Sequence, residues 1–475
     1  MKNNYMNIEK VYHFCDKAAM VLLCVLMGDC CIFGAGRLLS FGSISFRMII
    51  LFLLLLVSLP LMILNIKELL KNRFLWLVVG FVAWLIISTI VGILNGNRMS
   101  LILIDLKGFA YFILLPAAFC ILTTRERIHV LMKCMMYCSA FSALVILVSL
   151  CSYLWYPELY NTIKDFTFPL QIASFSSIST KIPRMFFKSV LYLLCGCAFS
   201  VYFQTVSSSK KLSFKYIFIC AICLFALLMT YTRSVYLAAL LAAAGISAFL
   251  FVFNEREGRK KLFKQLGTAA AAFLIIVGAF SLLAQTNYIG YAISRSTVGE
   301  IENNNLGNSE NPPDNLEEQM KNDYLELTVK SDQLRQKTLK ELYDNIKKSP
   351  IIGNGLGAEI EIRPDGLNEY FYLDILSKTG VIGLILYLSP AFLGLWMFIR
   401  LFKKKNDCRI TYGIWGSVLA GFFAFSWFNP YMNASLGVLF YCCALGVFYF
   451  CINQLRDTKK KNDMVEASAK SEVIA

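Results

Sequence analysis

About twelve apolar runs, each close to 20 residues long and nearly free of charge, constrain this chain more than anything else in it. They lie at 18–36, 46–65, 74–94, 101–122, 131–153, 186–205, 214–231, 234–253, 267–285, 379–400, 411–428 and 433–452. At an α-helical rise of about 1.5 Å per residue, a run of that length spans the hydrocarbon core of a bilayer. Backbone amides find no water there, so each run must satisfy its own hydrogen bonds as a helix. The chain is 57% hydrophobic over 475 residues, against roughly 45–50% in soluble domains. The expected fold is therefore all-α, a polytopic membrane protein of about twelve transmembrane helices.

The net charge of +15 does not point to nucleic acid, because the cations gather in short loops at alternate helix ends. Six clusters do so: Lys67, Lys71 and Arg73; Arg125, Arg127 and Lys133; Lys210, Lys211 and Lys215; Arg256 to Lys264; Arg400 to Arg409; and Lys459 to Lys461. With twelve spans they fall on one side together with both termini. The positive-inside rule makes that side cytoplasmic, with anionic membrane lipid as a secondary attraction. No small-residue cleavage site follows the first apolar run, so no signal peptide is expected. Most of the 16 cysteines lie in apolar runs and none lies in 285–378, so they read as small buried hydrophobes and not as a disulfide framework.

The opposite side carries a loop at 154–185, a tight turn at Thr232-Arg233, and a long loop at 286–378. This divides the chain into an N-terminal bundle (1–285), a large extracytoplasmic loop (286–378), C-terminal helices (379–452) and a cytoplasmic tail (453–475). Gly299–Gln319 is rich in Asn, Glu and Pro and reads as a solvated link. The spacing of Leu334, Leu339, Leu342, Tyr343 and Ile346 predicts an amphipathic helix over 330–348. Ser349-Pro350 ends it, a glycine-punctuated turn follows at 351–357, and a second helix is expected from near Asn368 through Gly380.

Few side chains here can do chemistry. His13 and His129 are the two histidines, and both fall on the cytoplasmic side, so a multi-histidine metal site is not expected. Walker A, HExxH and GxSxG patterns are absent, which leaves nucleotide hydrolysis and serine or zinc hydrolysis without support. The GNGLG turn follows no strand and has no lysine after it, and reads as a backbone turn. Arg233 between two apolar runs is costly unless it is paired, functional or snorkelling to the interface. Arg184 reads as an interfacial anchor or as a second cation for an anion. Arg335 reads as a solvated helix face or as a third. Glu369, with Tyr370, Tyr372 and Asp374 beside it, stands where the long loop returns to the membrane; a carboxylate there is a candidate general base. Asp105 and Lys107, two apart, do not face each other on a helix.

The run from Arg335 through Pro350-Ile351-Ile352-Gly353-Asn354-Gly355-Leu356-Gly357 to Tyr372-Leu373 and Gly380-Val381-Ile382-Gly383 resembles the signature loop of the O-antigen polymerase and O-antigen ligase superfamily. Thr232-Arg233-Ser234 is similar to that family's Ser-Arg step between consecutive helices, and Arg184 to an arginine that follows the earlier outer loop. The resemblance implies a GT-C-like glycosyltransferase of the bacterial cytoplasmic membrane. It would act on glycans carried by undecaprenyl pyrophosphate, without cofactor, nucleotide sugar or metal. Arg184, Arg233 and Arg335 would engage the pyrophosphate. Tyr370, Tyr372 and Asp374 would help bind the acceptor, with a flippase and a chain-length regulator as partners. Aligning on Leu373 and Gly380 puts Glu369 where the family's ligases have a histidine proposed as base, and Tyr370 where they have asparagine. That departure favours repeat-unit polymerisation over ligation to lipid A core or another acceptor. A lipid-linked oligosaccharide flippase is the alternative of another class.

Overall fold

A computed structural model describes residues 2–34, 36, 40–41, 44–179, 182–206, 210–253, 256–290, 292–293, 316–364, 366, 368–401 and 408–474. Arg295 and most of the Asn- and Glu-rich link expected at 299–319 lie outside them. The described residues form an all-α membrane bundle with two small antiparallel hairpins. Nine of its helices are long and apolar enough to cross a bilayer. The other three expected spans fall on α1 (Lys2–Phe33) and on two shorter apolar helices, α9 (Tyr192–Val206) and α10 (Lys210–Leu228).

The helices between α1 and α9 are α2 (Phe46–Leu64), α3 (Ile66–Leu70), α4 (Arg73–Leu94), α5 (Met99–Phe109), α6 (Leu114–Ile121), α7 (Arg125–Trp155) and α8 (Pro157–Thr167). After α10 come α11 (Arg233–Phe253), α12 (Arg256–Ala284), α13 (Leu316–Lys348), α14 (Phe371–Leu401), α15 (Cys408–Phe425) and α16 (Ser435–Ile474). Hairpin β1–β2 (Ser40–Phe41, Ile44–Ser45) follows α1, and β3–β4 (Ala173–Ser179, Ile182–Phe187) follows α8. Asn72 caps α4 by accepting from Phe74 N at 3.0 Å, a role its short carbonyl side chain suits. Pro390 interrupts the hydrogen-bond ladder of α14, and the Tyr441 hydroxyl bridges the gap. It accepts from Ala391 N at 3.1 Å and donates to Tyr387 O at 3.2 Å, which keeps those groups satisfied inside the bundle.

Two ion pairs, one buried and one partly buried, fix α1. Arg47, 6% exposed, donates to Asp29 at 2.6 Å and to Ser435 Oγ at 3.1 Å, joining α1, α2 and the start of α16. Arg127 pairs with Asp16 and joins α1 to α7. Charges buried this deeply are costly unless paired. The apolar residues around Arg47 and Asp29 conceal the pairing from a one-dimensional reading.

Three sequence expectations are modified. The loop at 154–185 is ordered as α8 and the β3–β4 hairpin. Residues 316–319, expected in the flexible link, begin α13, since Leu, Glu and Gln are good helix formers. The charged tail from Arg456, which reads as disordered, continues α16 to Ile474.

The glycine-rich turn threads its backbone into the bundle. Gly353, Gly355 and Gly357 have φ of 84°, 84° and 75°, conformations that side chains with a Cβ rarely adopt. Leu356 N donates to Ser88 O of α4 at 2.9 Å, and Asn354 N to Ser377 O of α14 at 2.8 Å. Asn97 Nδ2 reaches Leu356 O at 2.9 Å. Gly355 lies so close to Gly92 of α4 that a Cβ on it would overlap the Gly92 backbone. The helix expected through Gly380 begins at Phe371 and breaks at Gly380 (φ 67°, ψ −175°). The amides past the break stay bonded: Val381 N donates to Pro350 O at 2.9 Å, and Ile382 N to Ile351 O at 3.4 Å.

Gly355→Ala should therefore cost at least about 1–3 kcal/mol from backbone strain alone. A lower melting temperature of the purified protein in detergent checks it, and Gly96→Ala, where a Cβ meets nothing within 4 Å, should cost less.

Candidate functional site

Three of the candidate residues meet in one chain of alternating charge. Arg233 is the first residue of α11, and its Nη1 lies 3.9 Å from Asp332 Oδ2 of α13. Arg335, one turn further along α13, donates from Nη1 to Asp332 Oδ1 at 3.0 Å and from Nε to Glu369 Oε2 at 2.9 Å. The other oxygen of Glu369 accepts from Arg363 Nη2 at 2.8 Å. Three guanidiniums thus face two carboxylates, and all five side chains are between 27% and 42% exposed. Burial alone would lower the Arg335 pKa, but its bond to Glu369 and the charge of Asp332 outweigh it and raise the pKa. Arg335 stays charged under all ordinary conditions.

Arg184 approaches from the β3–β4 hairpin, where it pairs with Ser176. Its Nε donates to Thr230 O at 3.4 Å, and Met185 N to Met229 O at 3.5 Å. The hairpin is thereby laid against the turn that carries Arg233. Tyr370 is 6% exposed, and burial raises its pKa, so it keeps its phenolic proton at neutral pH. The Tyr372 hydroxyl donates to Phe423 O at 2.9 Å.

Asp374 belongs to a second, buried constellation. Lys378 Nζ lies 2.9 Å from Asp105 Oδ1 and 3.0 Å from Asp374 Oδ1, and it also donates to Gly366 O at 3.2 Å. Asp105 Oδ2 accepts from Gly357 N at 2.8 Å. Asn368 Nδ2 donates to Asp374 Oδ1 at 2.6 Å. One ammonium therefore holds α5, the glycine turn and the first part of α14 together. In this arrangement Asp374 positions the returning loop from below.

Residues 218–388 match the family model for O-antigen ligase. This stretch is consistent with the O-antigen polymerase and ligase superfamily. No curated protein matches the chain. The matched stretch contains the turn with Arg233, all of α13, the glycine turn, Arg363 and Glu369, whereas Arg184 precedes it. Among the described residues no group of three or more His, Cys, Asp or Glu side chains could hold a metal ion.

Sequence reasoning missed Asp332, Arg363 and the Lys378–Asp105 pair. Asp332 and Arg335 stand three apart on a helix, a spacing that brings side chains together, so that contact was legible. The Lys378–Asp105 pair joins residues 273 positions apart, and nothing in the local sequence announces it.

Lys378→Met would leave Asp105 and Asp374 buried without their cation, a loss of about 3–5 kcal/mol by analogy with other broken buried pairs. Thermal melting should fall, and limited proteolysis within 351–370 should speed up. The triple change Asp105→Asn, Asp374→Asn and Lys378→Met should recover part of the loss.

Proposed function

We propose that the chain polymerises oligosaccharide repeat units carried on undecaprenyl pyrophosphate, at the outer face of the bacterial cytoplasmic membrane with both termini in the cytoplasm. The observation that carries this reading is the meeting of Arg233, Arg335 and Glu369 within the matched O-antigen ligase stretch. A pyrophosphate carries several negative charges and suits planar, bidentate guanidiniums. Entering between Arg233 and Arg335, it would displace Asp332, whose carboxylate occupies both in the unliganded arrangement. Arg184 adds a cation beside the Arg233 turn.

The reaction then balances as follows. The oxygen of an acceptor sugar hydroxyl forms a bond to the anomeric carbon of the donor, and the bond from that carbon to the phosphate oxygen breaks. Undecaprenyl pyrophosphate leaves with the electron pair, stabilised by Arg233 and Arg335. The hydroxyl proton passes to Glu369. Both Glu369 oxygens already accept from arginines, which lowers their basicity, so the proton passes more readily once one guanidinium has moved. A pyrophosphate that draws Arg335 toward itself frees Oε2, which links donor binding to activation of the acceptor. Tyr370 and Tyr372 stand beside the acceptor. A flippase supplies lipid-linked units from within, and a chain-length regulator is a natural partner. Because the matching family description is a ligase, transfer of finished chains to another acceptor is the second reading.

In cells lacking this chain, surface glycan on a gel should collapse to single repeat units displayed outside, and the wild-type gene should restore the ladder. Arg233→Ala should lower polymerisation about 10- to 100-fold, as expected for loss of a charge-assisted bond. Asp332→Asn should tighten binding of undecaprenyl pyrophosphate up to about fivefold, since a half-exposed pair contributes no more than about 1 kcal/mol. Full-length chains retained on lipid would favour the ligase, and repeat units trapped inside would favour a flippase. Normal chain length and rate in Arg233→Ala would remove the anion-site role.

A further inference from the structure

The connection between α15 and α16 reads in sequence as a mere link, and it lies beyond the matched O-antigen ligase stretch. In the fold it touches three segments around the candidate site. Asn429 Nδ2 donates to Ser234 Oγ, next to Arg233, at 2.9 Å. The Tyr431 hydroxyl donates to Lys188 O, just after the strand that bears Arg184. Asn433 Nδ2 reaches Asp374 Oδ2 at 3.4 Å, and Met432 O accepts from the Tyr387 hydroxyl at 2.8 Å. Five residues of connection are thus held by three separate parts of the chain.

On this firmly held connection two large aromatic rings remain open. Trp427 is 56% exposed and Phe428 41%. Each leans on a tyrosine beside Glu369. The Trp427 ring lies 5.3 Å from that of Tyr372, tilted by 47°, and the Phe428 ring lies 6.3 Å from that of Tyr370 at 61°. An exposed indole at a helix end is commonly an interfacial anchor in lipid. Here the ring is backed by the segment that carries the candidate base, and its loop is bonded to the turn that carries the anion-binding arginine. The rings against Trp427 and Phe428 are tyrosines, and two residues past Trp427, Asn429 bonds Ser234; such polar groups suit a carbohydrate better than an acyl chain.

We infer that Trp427, with Phe428 beside it, is a stacking platform for a pyranose ring of the lipid-linked glycan. The C–H groups on one face of a pyranose carry slight positive charge and meet the negative face of the indole. The sugar hydroxyls then project sideways toward Glu369 and the tyrosines. The inference rests on the polymerase reading for its ligand, and it adds the surface that orients the sugar relative to the reacting centre. The donor chain and the acceptor unit present the same chemistry.

The test uses the full chain purified in lipid nanodiscs, with two kinds of probe. One is lipid-free oligosaccharide of one or two repeat units, cut from the host's own surface polysaccharide. The other is undecaprenyl pyrophosphate without glycan. Trp427→Ala should weaken oligosaccharide binding about tenfold, Trp427→Phe should retain part of it, and the affinity for undecaprenyl pyrophosphate should stay within about twofold. A larger loss with the two-unit probe than with the one-unit probe assigns the platform to the growing chain, and an equal loss assigns it to the single acceptor unit. Oligosaccharide binding that survives Trp427→Ala unchanged overturns the platform and leaves the polymerase reading intact. Equal loss of both probes makes Trp427 a lipid-facing or structural residue, which also overturns it. Wild-type protein that binds neither probe overturns the polymerase reading as well.

Discussion

Lys378 stands between two carboxylates from distant parts of the chain, and the geometry of the candidate site depends on it. Its side chain and those of Asp105 and Asp374 are 5%, 12% and 3% exposed. At that depth an unpaired charge is not tolerated, so the three must stay together. Asp105 also accepts from Gly357 N, and Asp374 from Asn368, so the ion pairs hold backbone as well as side chains. The turn at 353–357 and the break at Gly380 become a single rigid floor for the returning loop. Glycines are needed there because backbone packs on backbone, with no room for a Cβ at Gly355.

The alternating chain above that floor obeys different electrostatics. Its five side chains are about a third exposed. A pair of unit charges about 4 Å apart gains about 1 kcal/mol in water and about 4 kcal/mol at the effective dielectric of a protein surface. Partner exchange in the upper cluster is therefore cheap compared with exchange in the buried triad. A site that must bind and release a polyanion needs this division: fixed charges to set geometry, and exchangeable charges to do the binding. Asp332 and Glu369 hold the arginines in place, and under the proposed function a more highly charged anion would outcompete them.

The apolar runs made the membrane architecture legible, because their length and continuity exclude most other structures. All twelve expected segments coincide with helices, although Gly380 breaks one, and another begins only at Tyr192, after β4 has used the residues before it. Arg233, Arg335 and Glu369 were also legible, since charged residues stand out against apolar flanks and in patterned loops. Whether they touched was not, because 102 positions separate Arg233 from Arg335 in the sequence, and proximity comes from how α13 docks. Asp105 showed no partner in the local sequence because Lys378 lies on another helix. The β3–β4 hairpin was overlooked because its serine-rich first strand offers little of the β-branched and aromatic signal on which strand assignment rests.

The negative charge of Glu369 accounts for the arginines around it. A neutral imidazole needs no counter-ion, whereas a carboxylate in a half-buried site does. Arg335 and Arg363 supply two, one for each oxygen. The same bonds that make the carboxylate tolerable take one lone pair of each oxygen and lower its basicity, so withdrawing a partner would raise it. Arg335 is the partner that can move, because it is the guanidinium shared with Asp332 and closest in the chain of contacts to Arg233. Arg363 lies on the loop six residues before Glu369, and it keeps the carboxylate oriented while the other oxygen is freed. Under the proposed function, the acceptor hydroxyl would meet a stronger base once the pyrophosphate of the donor is in place.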